Sequence, residues 1–305
     1  MRESDFPMAR EIFRVAFGTF IGVPDPLSFA ADREYISTRW KMDPSSVFAA
    51  EVDGALAGSN FVTRWGSFGF FGPLTVRPEF WNRGVAQALL RPTMDLFDSW
   101  GVRDAGLYTF SNSAKHLALY QKFGFWPRFL TAFMSAPAAA AGDVSWAAWS
   151  QLAETDRPAV LAACRELTGS FFDGLDVSRE ITAVAELGLG EILLLWSGDS
   201  LDAFAVCHCG EGTEAGCGNC YLKFAAARSG DQAERAFERL LAACQGFAAE
   251  RGLERVQGGV NTARCQAYRS MLRCGFQIID LGVAMFRGDS AAYNRPEVYA
   301  IDDWR

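Results

Sequence analysis

Apolar residues recur at helical spacing from Asp5 to Thr19 in "DFPMAREIFRVAFGT", and the Gly and two prolines of "GVPDP" end the run. A second, shorter helix is expected over Asp32 to Trp40, stopped by Asp43-Pro44. The period then changes to that of strands. "SVFAAEV" and "ALAGSNFVTRW" flank Asp53-Gly54, a strong hairpin signal, and "FGFFGPLTV" supplies a third strand. From Val85 to Trp100 the pattern is helical again, with Pro92 expected to kink it or distort one turn. Gly101 ends that helix, "AGLYTF" reads as a strand, "SAKHLALYQKF" reads as a helix capped by Gly124, and a last strand finishes near Met134. Ser135 to Asp143, "SAPAAAAGD", reads as a linker.

The plan then repeats. When the chain is slid along itself, Gly101-Val102 falls on Gly252-Leu253, Leu89-Leu90 on Leu240-Leu241 and Gly124-Phe125 on Gly275-Phe276, without a gap. Helices near Asp156 to Thr168 and Val177 to Leu187 precede strands "EILLLWS", "DAFAVCHC" and "CYLKFAAA". Two copies of one fold are the economical reading. The expected class is α/β (α+β), with two tandem domains at 1–137 and 144–305, each a mixed, mostly antiparallel sheet flanked by helices.

Half of the 305 residues are hydrophobic and 21% are charged, which suits a chain that buries a core. The net charge of -7 argues against nucleic acid or an anionic membrane surface as partner, leaving a small molecule. The longest pure apolar run, Ile192 to Trp196, is strand-sized, so no membrane span is expected. The N-terminus has no signal-peptide core, and with eight cysteines read as reduced thiols the expected location is cytoplasmic.

In "VRPEFWNRGVAQALL", a loop joins the third strand to the longest helix. Free amides at a helix start form an anion site, Gly84 lets the backbone approach a ligand, and Arg83 adds a cation. A plain strand-to-helix turn explains the loop alone equally well. Its context favours the first reading, because "LTVRPEFWNRGVAQALL" and "SAKHLALYQKFGF" together resemble the GNAT superfamily of N-acetyltransferases. They match that family's Val-x-Pro strand end, its Arg/Gln-x-x-Gly-x-Gly/Ala loop and its Leu-Tyr-x-x-x-Gly-Phe helix end, and the element order agrees over most of residues 1–137.

The resemblance implies that main-chain groups of Leu74 and Val76 hold the acyl-pantetheine arm. It implies that Asn82, Arg83, Gly84, Val85, Ala86 and Gln87 receive the pyrophosphate of acetyl-CoA as co-substrate. Ser113 stands where the family often has an Asn near the cofactor. Tyr120 falls on the tyrosine that donates to the leaving thiolate; the plainer alternative is a core-facing aromatic. Trp81 replaces the usual first residue of the loop motif. For a general base, Glu51 is the nearest strand carboxylate, with a surface role as its alternative, and a water chain or a neutral amine is equally open. His116 lies one turn before Tyr120 and is either a helix-surface residue or a contact to substrate or cofactor. The segment Phe17 to Phe29 sits where this fold shapes its acceptor pocket.

In the second copy Gly84 falls on Arg235 and Tyr120 on Met271, while Asp231 and Glu234 stand where pyrophosphate would sit. That copy is expected to be degenerate, serving as a wall of the substrate pocket, a homodimer surface or another ligand site. Its Cys207, Cys209, Cys217 and Cys220 have spacing open to zinc; small hydrophobes on a hairpin are the favoured reading, and no metal site is assigned. The expected activity is acetyl transfer to the amine of a small molecule or peptide by direct attack. The alternative is a non-catalytic acyl-CoA or ligand sensor or scaffold.

Overall fold

A computed structural model describes residues 1–304. The first half runs α1 (Phe6–Ile21), α2 (Ile36–Met42), β1 (Val47–Val52), β2 (Ala55–Trp65), β3 (Phe68–Val76), α3 (Val85–Trp100), β4 (Asp104–Phe110), α4 (Ala114–Gln121) and β5 (Phe125–Pro137). After the short β6 (Ala147–Ala148), the same order returns: α5 (Arg157–Gly169), α6 (Ser178–Leu187), β7 (Gly190–Ser197), β8 (Ser200–Gly210), β9 (Gly216–Ala227), α7 (Ala233–Glu250), β10 (Arg255–Asn261), α8 (Cys265–Arg273) and β11 (Gln277–Arg287). A last strand, β12, covers Ala300–Ile301. The fold is tandem, as the repeat predicts.

The two copies share one twelve-stranded sheet in the order β1-β2-β3-β4-β11-β5-β10-β9-β8-β7-β6, with β12 on β9. The copies have exchanged their final strands. β11 of the second copy pairs with β4 of the first, β5 of the first pairs with β10 of the second, and β5 and β11 pair antiparallel between them. This corrects the linker. Ser135–Pro137 is the end of β5 and pairs with Gln257, Val256 and Arg255. Its small side chains suit the strand: Ser135 and Ala136 are fully buried, and Ala136 packs in the apolar layer beneath α7. The rest of the stretch, Ala138 to Asp143, lies outside any strand and is mostly exposed, so the connection between the copies is shorter than its composition suggests.

α2 begins at Ile36, later than its pattern suggests, because the preceding residues are used for docking. The Glu34 carboxylate accepts the amides of Ile36 and Ser37, and Asp32 accepts the amide of Cys217 in the second copy. α3 continues through Pro92. The carbonyl freed there belongs to exposed Ala88, where water can satisfy it.

Between the copies lies a mixed apolar and ionic core. Trp65, Phe68 and Phe70 pack with Phe171, Phe172, Phe204 and Phe224. Beside them Arg39 on α2 donates to both carboxylate oxygens of Glu214 at 2.7 and 2.9 Å, and Lys223 lies 3.0 Å from the same group. Arg39 also donates to the Gly72 carbonyl, tying β3 to this cluster. Buried charges of this kind hold only when paired, and removal of one partner typically costs about 3–5 kcal/mol.

His208 is buried next to these charges, and neither ring nitrogen has a partner among the described residues. Burial first, then Lys223 and Arg39 against the opposing pull of Glu214, pushes its pKa down to about 4. The unfolded chain therefore takes up a proton near pH 6.5 that the folded chain refuses. Stability from this group is full above pH 6.5 and is lost as pH falls toward 4, by about 3 kcal/mol. Chemical denaturation across that window should show the fall in the wild type, and His208→Gln should flatten that part of the acid limb.

Candidate active site

β3 and β4 run parallel only where Phe68, Gly69 and Phe70 face Asp104, Ala105 and Gly106; then they diverge. Past this vertex β3 keeps β2 as partner, with Leu74 beside Asn60 and Val76 beside Gly58. The other edge of Leu74, Thr75 and Val76 has no strand neighbour, and such an edge can accept an extended chain as an added strand. A cleft of about 1410 Å³ opens along it.

The outer end of the cleft is the loop before α3. Asn82 and Gly84 are left-handed, with φ of 63° and 81°. A Cβ on Gly84 would meet nothing within 4 Å, so its backbone angle rather than crowding selects glycine. Gly84 is the N-cap of α3, no side chain caps it, and no acidic residue stands in the first turn. The amides of Val85, Ala86 and Gln87 thus lack intrahelical acceptors and sit at the positive end of the helix.

Trp81 is the departure from the loop motif, and its contact is now visible. Its Nε1 donates to the Val76 carbonyl at 2.7 Å, and the Lys115 ammonium lies 4.7 Å from its ring centroid. The indole fastens the loop to the open strand and leaves that carbonyl a second lone pair.

Leu74, Val76, Asn82, Gly84, Val85, Ala86, Gln87, Ser113 and Tyr120 all line the cleft. Arg83 stands apart, with its guanidinium 5.1 Å from the Phe80 ring centroid. Ser113 is the N-cap of α4 and accepts the His116 amide at 3.3 Å. Tyr120 is buried against Phe71, with ring centroids 5.7 Å apart. Burial, opposed by a hydrogen bond with Thr109, raises its phenol to about 12. It keeps its proton at any physiological pH.

His116 is held between Phe20 and Phe110, and its Nδ1 is buried without a partner among the described residues. Burial, then the Lys115 charge, lowers its pKa and keeps the imidazole neutral. Glu51 is exposed on β1 and lies off the cleft. Among the described residues lining the cleft, Asp280 is the only carboxylate.

Two walls flank the open edge. Phe17, Phe20 and Ile21 at the end of α1 form one with Phe29 from the segment after it; Phe17 stacks on Phe29 at 5.7 Å and Phe20 meets Phe110 at 4.7 Å. The other comes from the exchanged strands: Phe133 of β5 with Ile279, Asp280 and Leu281 of β11. Periodicity could not reveal Asp280 or its neighbours as cleft residues, because their placement depends on strand exchange.

The second copy repeats the vertex, with Asn219, Cys220 and Tyr221 beside Arg255, Val256 and Gln257. Here the opening is filled by the chain itself. β12 lies on β9 with Ala300 beside Ala226 and Ile301 beside Ala225, the positions aligned with Thr75 and Leu74. Ala227 donates to the Tyr299 carbonyl and Asp302 to that of Gly259. Met271, at the Tyr120 position, is fully buried. Glu234 and Glu238 hold Arg273 at the start of α7.

The second-copy cysteines scatter in function. Cys207 and Cys220 are buried beneath α7, Cys244 is buried on the inner face of α7 itself, and Cys217 is exposed. Contact with Cys220, then burial, holds the Cys209 thiol well above its ordinary value. No group of three or more His, Cys, Asp or Glu is placed to hold a metal ion among the described residues. No helix there is long and apolar enough to cross a membrane.

Residues 8–125 match the Acetyltransferase (GNAT) family. No curated protein is matched by the sequence. Among solved structures, the chain is similar to a proposed acetyltransferase from Pyrococcus horikoshii, at 15% identity and TM-score 0.70 over 99% of this chain and 92% of that one. It is similar to a GCN5-related N-acetyltransferase from Sphaerobacter thermophilus, at 17% identity and TM-score 0.63 over 96% of each. A tandem GNAT protein from the clavulanic acid biosynthesis pathway shares 12% identity and a TM-score of 0.57 over 94% of this chain and 97% of that one. At such identities the likeness is one of fold, and the family match covers residues 8–125. The chain carries a GNAT-family acetyltransferase domain over residues 8–125, with the GNAT fold repeated in tandem.

Proposed function

We propose that the first copy transfers an acetyl group from acetyl-CoA to the amine of a small molecule or peptide by direct attack. The observation that carries this reading is the continuous path from the unpaired edge of β3 to the uncapped start of α3, with Tyr120 facing it. The residues present suit coenzyme A. Leu74 to Val76 offer backbone groups to an extended pantetheine arm, and the first-turn amides of α3 offer donors to a pyrophosphate.

In this reading the neutral amine nitrogen attacks the thioester carbon, the C–S bond breaks, and the proton lost by the nitrogen passes to water in the cleft, from which Tyr120 is reprotonated after it has served the sulfur. Tyr120 donates to the departing sulfur. Its phenol is held protonated by burial, and the same burial raises the proton affinity of the thiolate it meets. The aromatic wall would hold an apolar part of the acceptor, and Asp280 would face an ammonium. Holding both reactants along one cleft supplies the orientation on which direct transfer depends.

Thiol release from acetyl-CoA across an amine panel tests the reading. Tyr120→Phe should lower kcat by about 10²- to 10⁴-fold with coenzyme A affinity retained. Unchanged kcat in that variant would remove Tyr120 from the chemistry. Cofactor binding with no turnover on any amine would make the protein a sensor instead. For a cationic acceptor, Asp280→Asn should raise KM about two- to fivefold, the effect of losing one exposed ion pair, and should leave KM for acetyl-CoA unaltered.

A further inference from the structure

The strand that closes the second copy's opening continues into the first copy's cleft. Beyond β12, Asp302 pairs with buried Arg264 at 2.7 Å and accepts from Tyr293, and Asp303 accepts from Tyr221 at 2.7 Å. Trp304 follows, in the left-handed region at φ 54°, which a bulky residue adopts only when its surroundings impose it. Its indole donates to the Tyr293 hydroxyl at 3.2 Å, and its ring packs 4.9 Å from Phe68. Trp304 is also on the lining of the first copy's cleft.

Its place there is the vertex where β3 and β4 part. A Cβ on Gly106, the last residue of β4 paired with β3, would lie 2.8 Å from the Trp304 ring. A Cβ on Gly72 of β3 would lie 3.6 Å from the Trp304 carbonyl. The pyrophosphate end of the cleft is at Asn82 to Gln87, so an arm running inward along Val76, Thr75 and Leu74 carries its acyl end toward Gly72 and this ring.

We propose that Trp304 closes the inner end of the acyl channel and thereby limits the enzyme to short acyl chains. The proposal rests on the acyl-transfer reading above. The ring is braced by Phe68, Phe286 and Tyr293 and by a buried hydrogen bond, so it cannot swing aside cheaply for a longer chain. The glycines on both strands at the vertex admit the tail, and the tail then occupies the space a longer acyl group would need.

The test is kcat/KM for acetyl-, butyryl- and octanoyl-CoA with one fixed amine, measured on the wild type, Trp304→Phe and Trp304→Ala. The wild type should favour acetyl and lose octanoyl. The octanoyl-to-acetyl ratio should rise about tenfold or more in Trp304→Ala, roughly what two newly accommodated methylenes supply, with Trp304→Phe between. A ratio unchanged in both folded variants overturns the proposal while leaving acyl transfer standing. Should Trp304→Ala fail to fold, the wild type still decides: octanoyl used as well as acetyl overturns it. A wild type that binds none of the three thioesters removes the acyl-transfer reading, and this proposal with it.

Discussion

The exchange of final strands is the constraint on which the rest of this molecule depends. β11 lies between β4 and β5, and β5 lies between β11 and β10, so neither copy has an intact sheet without the other. Pairing of this kind is strongly registered, since a one-residue slip would turn every buried side chain to the wrong face. It also decides what the first copy's cleft looks like. One wall of that cleft, Phe133 with Ile279 to Leu281, exists only because β5 and β11 have crossed over.

The duplicated vertex shows how one geometry takes two outcomes. In the first copy the strands part around Leu107 and Tyr108 and the opening stays free. At the aligned positions the second copy has Gly258 and Gly259, and the tail fits against them; a Cβ on Gly258 would lie 2.8 Å from Ile301. The backbone groups that an added strand would satisfy are satisfied within the chain. The second copy has thus traded a ligand opening for internal pairing, and the carboxylates at the start of α7 are occupied by Arg273.

Much of this is written locally. The helices, the Asp53-Gly54 hairpin, the loop glycine Gly84 and the repeat of Gly101-Val102 in Gly252-Leu253 are short-range signals, and the elements follow them. Which strand lies beside which is a long-range choice, and nothing in the alternation of β5 or β11 announces their exchange. For that reason "SAP" reads as linker while Ser135–Pro137 is strand with Ser135 and Ala136 buried, and neither Asp280 nor Trp304 reads as a cleft residue. Trp81 was legible as a departure from the motif, but its bond to Val76 depends on how the loop folds back.

In the proposed function one chain offers a single opening for coenzyme A, that of the first copy, since β12 fills the other. Calorimetric titration of the full-length protein with coenzyme A measures this directly. The account predicts one site per chain, lost in Gly84→Glu and retained in Arg235→Ala. Two sites, or binding that survives Gly84→Glu, would contradict it.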